Sequence, residues 1–495
     1  MAKKKTKARK PSGPEKNIRI EQLTRELHGH FSADRLAEAT NSLDELIGLS
    51  PRDVDLLNFL SLYALQLQQP HKALGLLRTA HRLDPSHLDS ICNLGICSYE
   101  IGNFADSASF FAKASRLSPH DPEIHYNLGN SYKKSRDFPQ AIEAFRKAIS
   151  LKRDYQEAYN NLALTYEETG EITKAVDCYR KVLSLDGHHD GALIRLNSIY
   201  SSHVRRWHFA MMNDTVRNEA FREAITKAVT EDSLVLEIGT GSGLLAMMAA
   251  EAGAAHVYTC ETNPLIARKA EEIIAANRLQ DRISVIRKNS LHIVTGKDIP
   301  APCDVLIAEI FDTGLLGEGV FTVFNHARQY LLAGNGRLIP CRAQVLARLI
   351  EIPALWQEAA VRTVGGYDLS PFNEFSPFFY LQKKLRDYQF RFLSEEAEIF
   401  RFDFRSPLPP AEEKSVEFRI TADGSCHAIG FWFRLYLDDD IFLETGPSST
   451  SHWDQALQVL PSPPETGGSQ KLSVKARHNS HFIYFEIDAN QPGPR

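Results

Sequence analysis

Residues 234–245 read LVLEIGTGSGLL. An apolar run meets a loop of alternating glycines and passes at once into an alanine-rich stretch with helical spacing, which predicts strand, loop and helix in that order. Further apolar runs at HVYTC (256–260), ISVI (283–286), DVLIAEI (304–310) and GRLIP (336–340) alternate with helical stretches such as NPLIARKAEEIIAANRL (263–279). Such alternation predicts a doubly wound parallel sheet whose ligand crevice opens at the carboxyl ends of its strands. Gly239, Gly241 and Gly243 would let a cofactor pass close to the backbone at a helix N-terminus. Glu261, 22 residues beyond Gly239, stands where a carboxylate can accept hydrogen bonds from two ribose hydroxyls. Both features suit NAD and S-adenosylmethionine alike, because Gly241, Gly243 and Ala246 also satisfy the relaxed dinucleotide pattern G-x-G-x-x-A.

Upstream of this core the sequence repeats with a period of 34. Leu60, Leu94, Leu128 and Leu162 keep that interval, as do Leu49, Leu83, Leu117, Leu151 and Leu185. Pro51, Pro85 and Pro119 follow two positions behind the first three of the latter, and a small residue recurs at Ala39, Ala73, Ser107, Ala141 and Ala175. Each unit holds two apolar stretches with helical spacing, separated by a turn such as EIGNF (100–104) or ETGEI (168–172). Residues 20–189 therefore read as five helix hairpins, the first of them irregular, with Glu26 and Leu27 where later copies place the leucine and a small residue. A capping helix and linker are expected over 190–205. The register resembles the tetratricopeptide repeat, in the pairs Leu94-Gly95 and Leu128-Gly129, in Tyr132 and Tyr166, and in the aromatics Phe111, Phe145 and Tyr179. That resemblance implies an α-solenoid with a concave surface for a peptide or protein partner.

Downstream, beyond Pro340, helical signals fade. Short alternating runs such as AQVLARLI, KSVEFRIT, AIGFWFRLYL and KLSVKA predict a β-barrel-like domain over 343–495, following an α/β domain over 206–342. An insertion at 353–381 opens with a helical pattern.

Composition bounds the function. At 495 residues the chain calls for several domains, and 57 basic against 62 acidic residues exclude wholesale electrostatic binding to nucleic acid. The exception is the start, MAKKKTKARKPSGPEK, which within a basic tail over 1–19 reads as disordered, with a nuclear signal or an RNA-touching arm as alternatives. Seven scattered cysteines without a C-x-x-C pair favour free thiols in a reducing compartment and offer no metal site. No apolar run reaches the roughly 18 residues of a membrane span, and no signal-peptide pattern opens the chain, so a cytoplasmic location is expected, a nuclear one remaining open.

The stretch that carries chemistry is EIFDTGLLGEG (309–319). Neither a helix nor a strand aims Glu309 and Glu318 the same way, so their convergence needs a folded-back loop, for which Gly314, Gly317 and Gly319 supply backbone freedom. Two convergent carboxylates suit the planar, always protonated guanidinium of an arginine.

From about residue 203 onward the chain resembles the protein arginine N-methyltransferase family, and within it the branch with N-terminal tetratricopeptide repeats. The resemblance rests on WHFAMMNDTVRNEAF (207–221) as a lid helix, on the glycine loop, on EIFDTGLLGEG as a double-glutamate loop and on SHW (451–453) in place of a Thr-His-Trp loop. It implies methyl transfer from S-adenosylmethionine to arginine in protein substrates. It also implies that Arg217 pairs with the cofactor's carboxylate, that Met211 lines the transfer site, and that His452 and Trp453 close over the substrate arginine beside Phe311, with His452 orienting Glu309 or taking up a proton. Where the family places an acid for the adenine amine, this chain has His292, and backbone groups around Leu291 are expected to replace it. By position the insertion at 353–381 resembles the family's dimerisation arm, so a homodimer is implied, against an ordinary long loop. The rival readings are an inactive methyltransferase-like scaffold that acts as an interaction platform and a nicotinamide-dependent oxidoreductase.

Overall fold

The computed structural model describes residues 13–49, 52–376, 379–467 and 471–487. The basic cluster within residues 1–12, and Pro51, lie outside the described residues. The chain divides into two compact units, residues 1–200 and 201–495.

The first unit is built from five antiparallel hairpins: α1 (Gly13–Ser32) with α2 (Leu36–Gly48), α3 (Val54–Gln66) with α4 (Pro70–Leu83), α5 (Leu88–Glu100) with α6 (Phe104–Leu117), α7 (Pro122–Lys134) with α8 (Phe138–Leu151), and α9 (Gln156–Glu168) with α10 (Ile172–Leu185). α11 (Asp190–His203) follows them. The repeating glycine has a packing reason: a Cβ on Gly95 would lie 2.7 Å from the Phe111 ring, and one on Gly129 would lie 2.6 Å from that of Phe145. Only a bare backbone lets the second helix of a hairpin bring its aromatic that close. The expected tail over 1–19 is corrected at its end, because α1 already begins at Gly13 and carries the stripe Ile20, Leu23 and Leu27 into the core.

In the second unit, α12 (Trp207–Met212) and α13 (Thr215–Ala228) precede the sheet. β1 (Leu234–Ile238), α14 (Leu244–Glu251), β2 (His256–Cys260), α15 (Pro264–Ala276), β3 (Ile283–Ile286), β4 (Cys303–Ala308), α16 (Val320–Tyr330) and β5 (Leu332–Ile339) follow in turn. The five strands are parallel in the order β3-β2-β1-β4-β5, with the topological reversal between β1 and β4. The register sets Ile238 opposite both Cys260 and Ala308, and Cys260 opposite Ile286. Gly239, Glu261 and Glu309 are therefore the next residues beyond three neighbouring strand ends, where crevices form in such sheets.

β6 (Arg342–Glu351) opens the antiparallel half. It pairs with Ala428–Tyr436 on one side and with Arg391–Phe392 and Ala397–Asp403 on the other, in a seven-stranded sheet. A second sheet joins Glu412–Arg419, Lys471–His478 and Ile483–Ile487. Phe400, Phe402, Phe404, Phe431 and Phe433 fill a core shared with the parallel sheet. The multidomain class read from the sequence, an α-solenoid followed by a Rossmann-like sheet and a β-barrel-like region, is the architecture found. The insertion holds α17 (Pro353–Ala359), a short β-ribbon at 363–368 and a 3-10 turn at 370–375, with Tyr367, Phe372 and Phe375 67–76% exposed to solvent.

Among the described residues no helix is long and apolar enough to cross a membrane. All seven cysteines are unpaired.

Candidate active site

Beyond the carboxyl ends of β1, β2 and β4 lies a cleft of about 550 Å³. Its wall includes Gly239, Gly241, Glu261, Leu291, Met211, Arg217, Glu309 and Glu318, so eight of the residues singled out from the sequence meet around one space. Gly243 stands just behind it as the N-cap of α14, with φ of 81° and a would-be Cβ 3.2 Å from Ile274.

The glycine loop takes left-handed φ at Gly239, Gly241 and Gly243, which a side chain would strain. Glu261 ties that loop to the second strand end: its Oε2 accepts from the Gly241 N–H at 3.3 Å and its Oε1 from the Asn263 N–H at 2.8 Å. Arg217, in the first turn of α13, is only 3% exposed. Its Nη2 donates to Glu309 Oε2 at 2.7 Å and its Nη1 to Asn218 Oδ1 at 2.8 Å, while its Nε, also buried, has no partner among the described residues. A buried guanidinium N–H without an acceptor is costly, and an anionic ligand group arriving in the cleft would satisfy it. The donor set fits an aminoacyl nucleoside such as S-adenosylmethionine: Glu261 for ribose hydroxyls, Arg217 for a carboxylate, and bare backbone between them.

The double-glutamate loop closes as a hairpin, although its glycines act differently from the sequence expectation. Only Gly319, at φ 77°, uses left-handed freedom, and the other left-handed residue of the loop is Leu315, at φ 75°. Gly314 and Gly317 are required for space: a Cβ on Gly314 would lie 2.0 Å from the Tyr380 hydroxyl oxygen, and one on Gly317 2.5 Å from Asp312 Oδ2. Asp312 is the knot, accepting from the Gly317 N–H at 2.8 Å and from the Tyr380 hydroxyl at 2.6 Å. Its turn brings Glu318 back to the cleft that Glu309 enters from β4.

Burial, followed by the charges of Glu309, Asp312 and Glu261, raises the Glu318 carboxyl to about 7, with Arg205 opposing. The side chain is also open to solvent, so the crowding of carboxylates is the firmer of the two causes. A site that destabilises its own negative charge in this way is poised to take a cation.

Three expected pocket residues lie elsewhere. Phe311 packs in the aromatic core against Phe324 and Phe404. Trp453 is buried beside Phe433 and donates its indole N–H to the Phe311 carbonyl at 2.9 Å. His452 does not reach Glu309: its Nδ1 lies 3.0 Å from Asp214 Oδ2, which also accepts the His452 backbone N–H at 2.8 Å. The loop 451–453 thus braces the wall from behind. Leu291 lends the cleft its side but not its N–H, which donates to Asn289 Oδ1 at 2.9 Å, and His292 is absent from the lining.

Sequence reasoning missed two acids. Asp214 caps α13 by accepting the Arg217 N–H at 2.9 Å, so one carboxylate fixes both the helix that carries Arg217 and the loop that carries His452. Burial works against its charge, but hydrogen bonds from His452 and from the N–H of Arg217 outweigh this and hold its pKa low. The signal was an aspartate directly before a helical run. Glu237, the single charged residue in the β1 run LVLEI, is 1% exposed and accepts from the Thr259 hydroxyl at 2.6 Å. Burial raises it to about 8, with the Thr259 hydrogen bond and the Arg217 charge opposing.

Comparison with known proteins agrees with this geometry. Residues 222–318 match the family model described as ribosomal protein L11 methyltransferase (PrmA), and residues 60–122, 122–155 and 157–189 match tetratricopeptide repeat models. The arginine N(omega)-methyltransferase of Streptomyces achromogenes subsp. streptozoticus is 40% identical over 274 residues, covering 55% of this chain and 76% of its own. Protein arginine N-methyltransferase 7 of Oryza sativa subsp. indica is 33% identical over 321 residues; these make up 57% of this chain but only 44% of the relative, so the match spans less than half of its length. Among solved structures, the Trypanosoma brucei PRMT1 enzyme-prozyme heterotetrameric complex with AdoHcy shares the fold, with a TM-score of 0.52 at 22% identity over 60% of this chain and 97% of that one. With the Streptomyces relative 40% identical and matched over 76% of its length, the chain belongs to the arginine N-methyltransferase family and is an S-adenosylmethionine-dependent enzyme.

Proposed function

We propose that the chain methylates arginine side chains of protein substrates, and that Glu309 and Glu318 hold the guanidinium. The observation that carries this is their meeting in one cleft, one at a strand end and the other returned by a glycine hairpin, beside the glycine loop and Glu261. Bound donor supplies an electrophilic methyl on a sulfonium, and what the protein adds is alignment and charge. Two carboxylates facing a planar cation form charge-assisted hydrogen bonds of roughly 1.5–3 kcal/mol each. They fix the guanidinium plane and draw its positive charge toward themselves, which leaves the third nitrogen richer in electrons. Well-oriented reacting pairs reach effective concentrations on the order of 10⁵–10⁸ M, so no strong general base is needed before the methyl moves. Methylation of the protonated guanidinium gives a transient dication, which loses one proton to solvent at the edge of the cleft and leaves a singly charged methylguanidinium and the neutral thioether.

Labelled S-adenosylmethionine offered with arginine-rich and lysine-rich proteins tests the reading: label should enter arginine alone, and lysine labelling or none defeats it. S-adenosylhomocysteine titrated by calorimetry should bind wild type, which a scaffold without a working cofactor site would not do. Self-association through the insertion, whose Tyr367, Phe372 and Phe375 face solvent, belongs to the same proposal. It is checked by sedimentation of the full chain before and after these three aromatics are changed to serine.

A further inference from the structure

Charge is segregated between the two helices of the second to fifth hairpins; the first hairpin does not share the pattern, α1 carrying three acids and three bases and α2 three acids and no base. The first helices α3, α5, α7 and α9 together carry seven acids against two bases, whereas the second helices α4, α6, α8 and α10 carry ten bases against three acids. α3 packs on α5, α5 on α7 and α7 on α9, so the first helices form one continuous face. Asp55, Asp89, Glu123 and Glu157 mark it at the repeat interval of 34, and all four are exposed. Among the described residues, Asp89, Glu123 and Glu157 have no lysine or arginine in ion-pair range. An acid in a first turn answers the helix dipole and needs no ligand. Glu100 and Glu168 do not fit that explanation, because they end α5 and α9, where the dipole opposes a negative charge.

A second observation concerns aromatic rings. Between α7 and α9 a crevice of about 410 Å³ is lined by Asp121, Glu123, Tyr155 and Glu157, with Lys152 at its side. Tyr155 lies 5.1 Å from the Tyr126 ring, and the Lys152 ammonium already sits over it, 4.7 Å from the centroid. Here the chain's own cation shows what the crevice accepts: a positive group over an aromatic face, ringed by carboxylates. Burial leads in the shifts of two groups under this face, and its carboxylates add to them. Burial and then Asp121, Asp89 and Glu123 push the Cys92 thiol on α5 up to about 11, and burial followed by Glu123, Tyr126, Glu157 and Asp121 raises Tyr155.

We infer that the first-helix face docks an extended, arginine- and lysine-rich segment of the substrate protein, with one guanidinium lodged over Tyr155 between Glu123 and Glu157 in place of Lys152. This rests on the reading that the enzyme acts on protein arginines. It assigns the substrate class: chains whose target lies in or near a basic stretch, held by many weak pairs that salt will screen.

The full chain is titrated with a labelled arginine-rich peptide long enough to cross the four helices, and with the same peptide carrying glutamine for arginine. Asp89→Asn, Glu123→Gln and Glu157→Gln combined should weaken the arginine peptide by roughly tenfold, the sum of several exposed ion pairs, and flatten its salt dependence. Lys113→Gln, Arg146→Gln and Lys181→Gln, on the second helices, should leave it unchanged. A charge-reversed chain, Asp89→Lys with Glu123→Lys, should instead capture a glutamate-rich peptide. Unchanged affinity in the acid-to-amide variant overturns the inference, and so does equal binding of the glutamine peptide or of an acidic chain by wild type. Methylation of a short arginine peptide is followed in parallel. If binding falls as expected while no arginine is methylated, the reaction assignment fails and the docking face stands. If methylation proceeds and binding is unmoved, the docking face alone falls.

Discussion

Glu309 has two suitors. Its carboxylate holds Arg217 at 2.7 Å, and both side chains are buried. Removing one charge from such a pair destabilises a protein by about 3 kcal/mol. Glu309→Gln should therefore lower the melting temperature of the ligand-free enzyme, and S-adenosylhomocysteine should restore more of it than it adds to wild type, because a ligand carboxylate gives Arg217 a new partner. Equal ligand shifts in the two proteins would separate Arg217 from the cofactor. Transfer to arginine should drop by about a hundredfold or more, read as kcat.

Glu318 sets a pH dependence. With its carboxyl raised to about 7, the cation-binding form grows as pH rises, so kcat/KM should climb through neutrality with a limb near that value, absent in Glu318→Gln. A flat profile from acid to alkaline pH in wild type would sink the coupling. Glu237 gives the corresponding stability signature. Its pKa is raised from 4.5 in the open chain to about 8 when folded, so the native state binds the extra proton between those values, and stability falls by about 1.4 kcal/mol per pH unit as pH rises across that window. Glu237→Gln should match wild type in acid and exceed it above pH 8, as measured by denaturant unfolding.

At the scale of the element, the decisive piece is the hairpin 309–319. Gly314→Ala places a methyl group where the Tyr380 hydroxyl stands, so either the tyrosine leaves Asp312 or the loop opens, and both loosen the knot that returns Glu318 to the cleft. Activity should be lost while cofactor binding, which uses the other side of the cleft, persists; a fully active variant would show that the loop can close without Tyr380. The sequence made the hairpin and its two acids legible. It did not reveal that two of the glycines serve contact rather than conformation, because Tyr380 lies 66 positions away from Gly314. The same distance hid Asp214. An N-cap aspartate is readable before any helix, but its second partner, His452, joins it only when the β half folds back over α13. For that reason the contacts of His452 with Asp214 and of Trp453 with the Phe311 carbonyl could not be read from the sequence.

At the scale of the whole molecule, a catalytic unit and a repeat unit each answer to a different kind of information. The 34-residue period, the strand-glycine-helix junction and the alternation of apolar runs are local: each follows from side chains within one or two elements, whose spacing fixes which face is buried. Hence the hairpin array, the parallel sheet and a nucleoside-binding crevice stood in the sequence alone, whereas the choice of S-adenosylmethionine over NAD came from the resemblance. What required tertiary structure was pairing across distance. Only the strand register brings Glu261, Gly239 and Glu309 level, and only packing raises the Glu237 carboxyl and buries the Arg217 Nε. Burial and electrostatic coupling depend on what surrounds a residue in space, and a chain read in order carries no record of those surroundings until it has closed on itself.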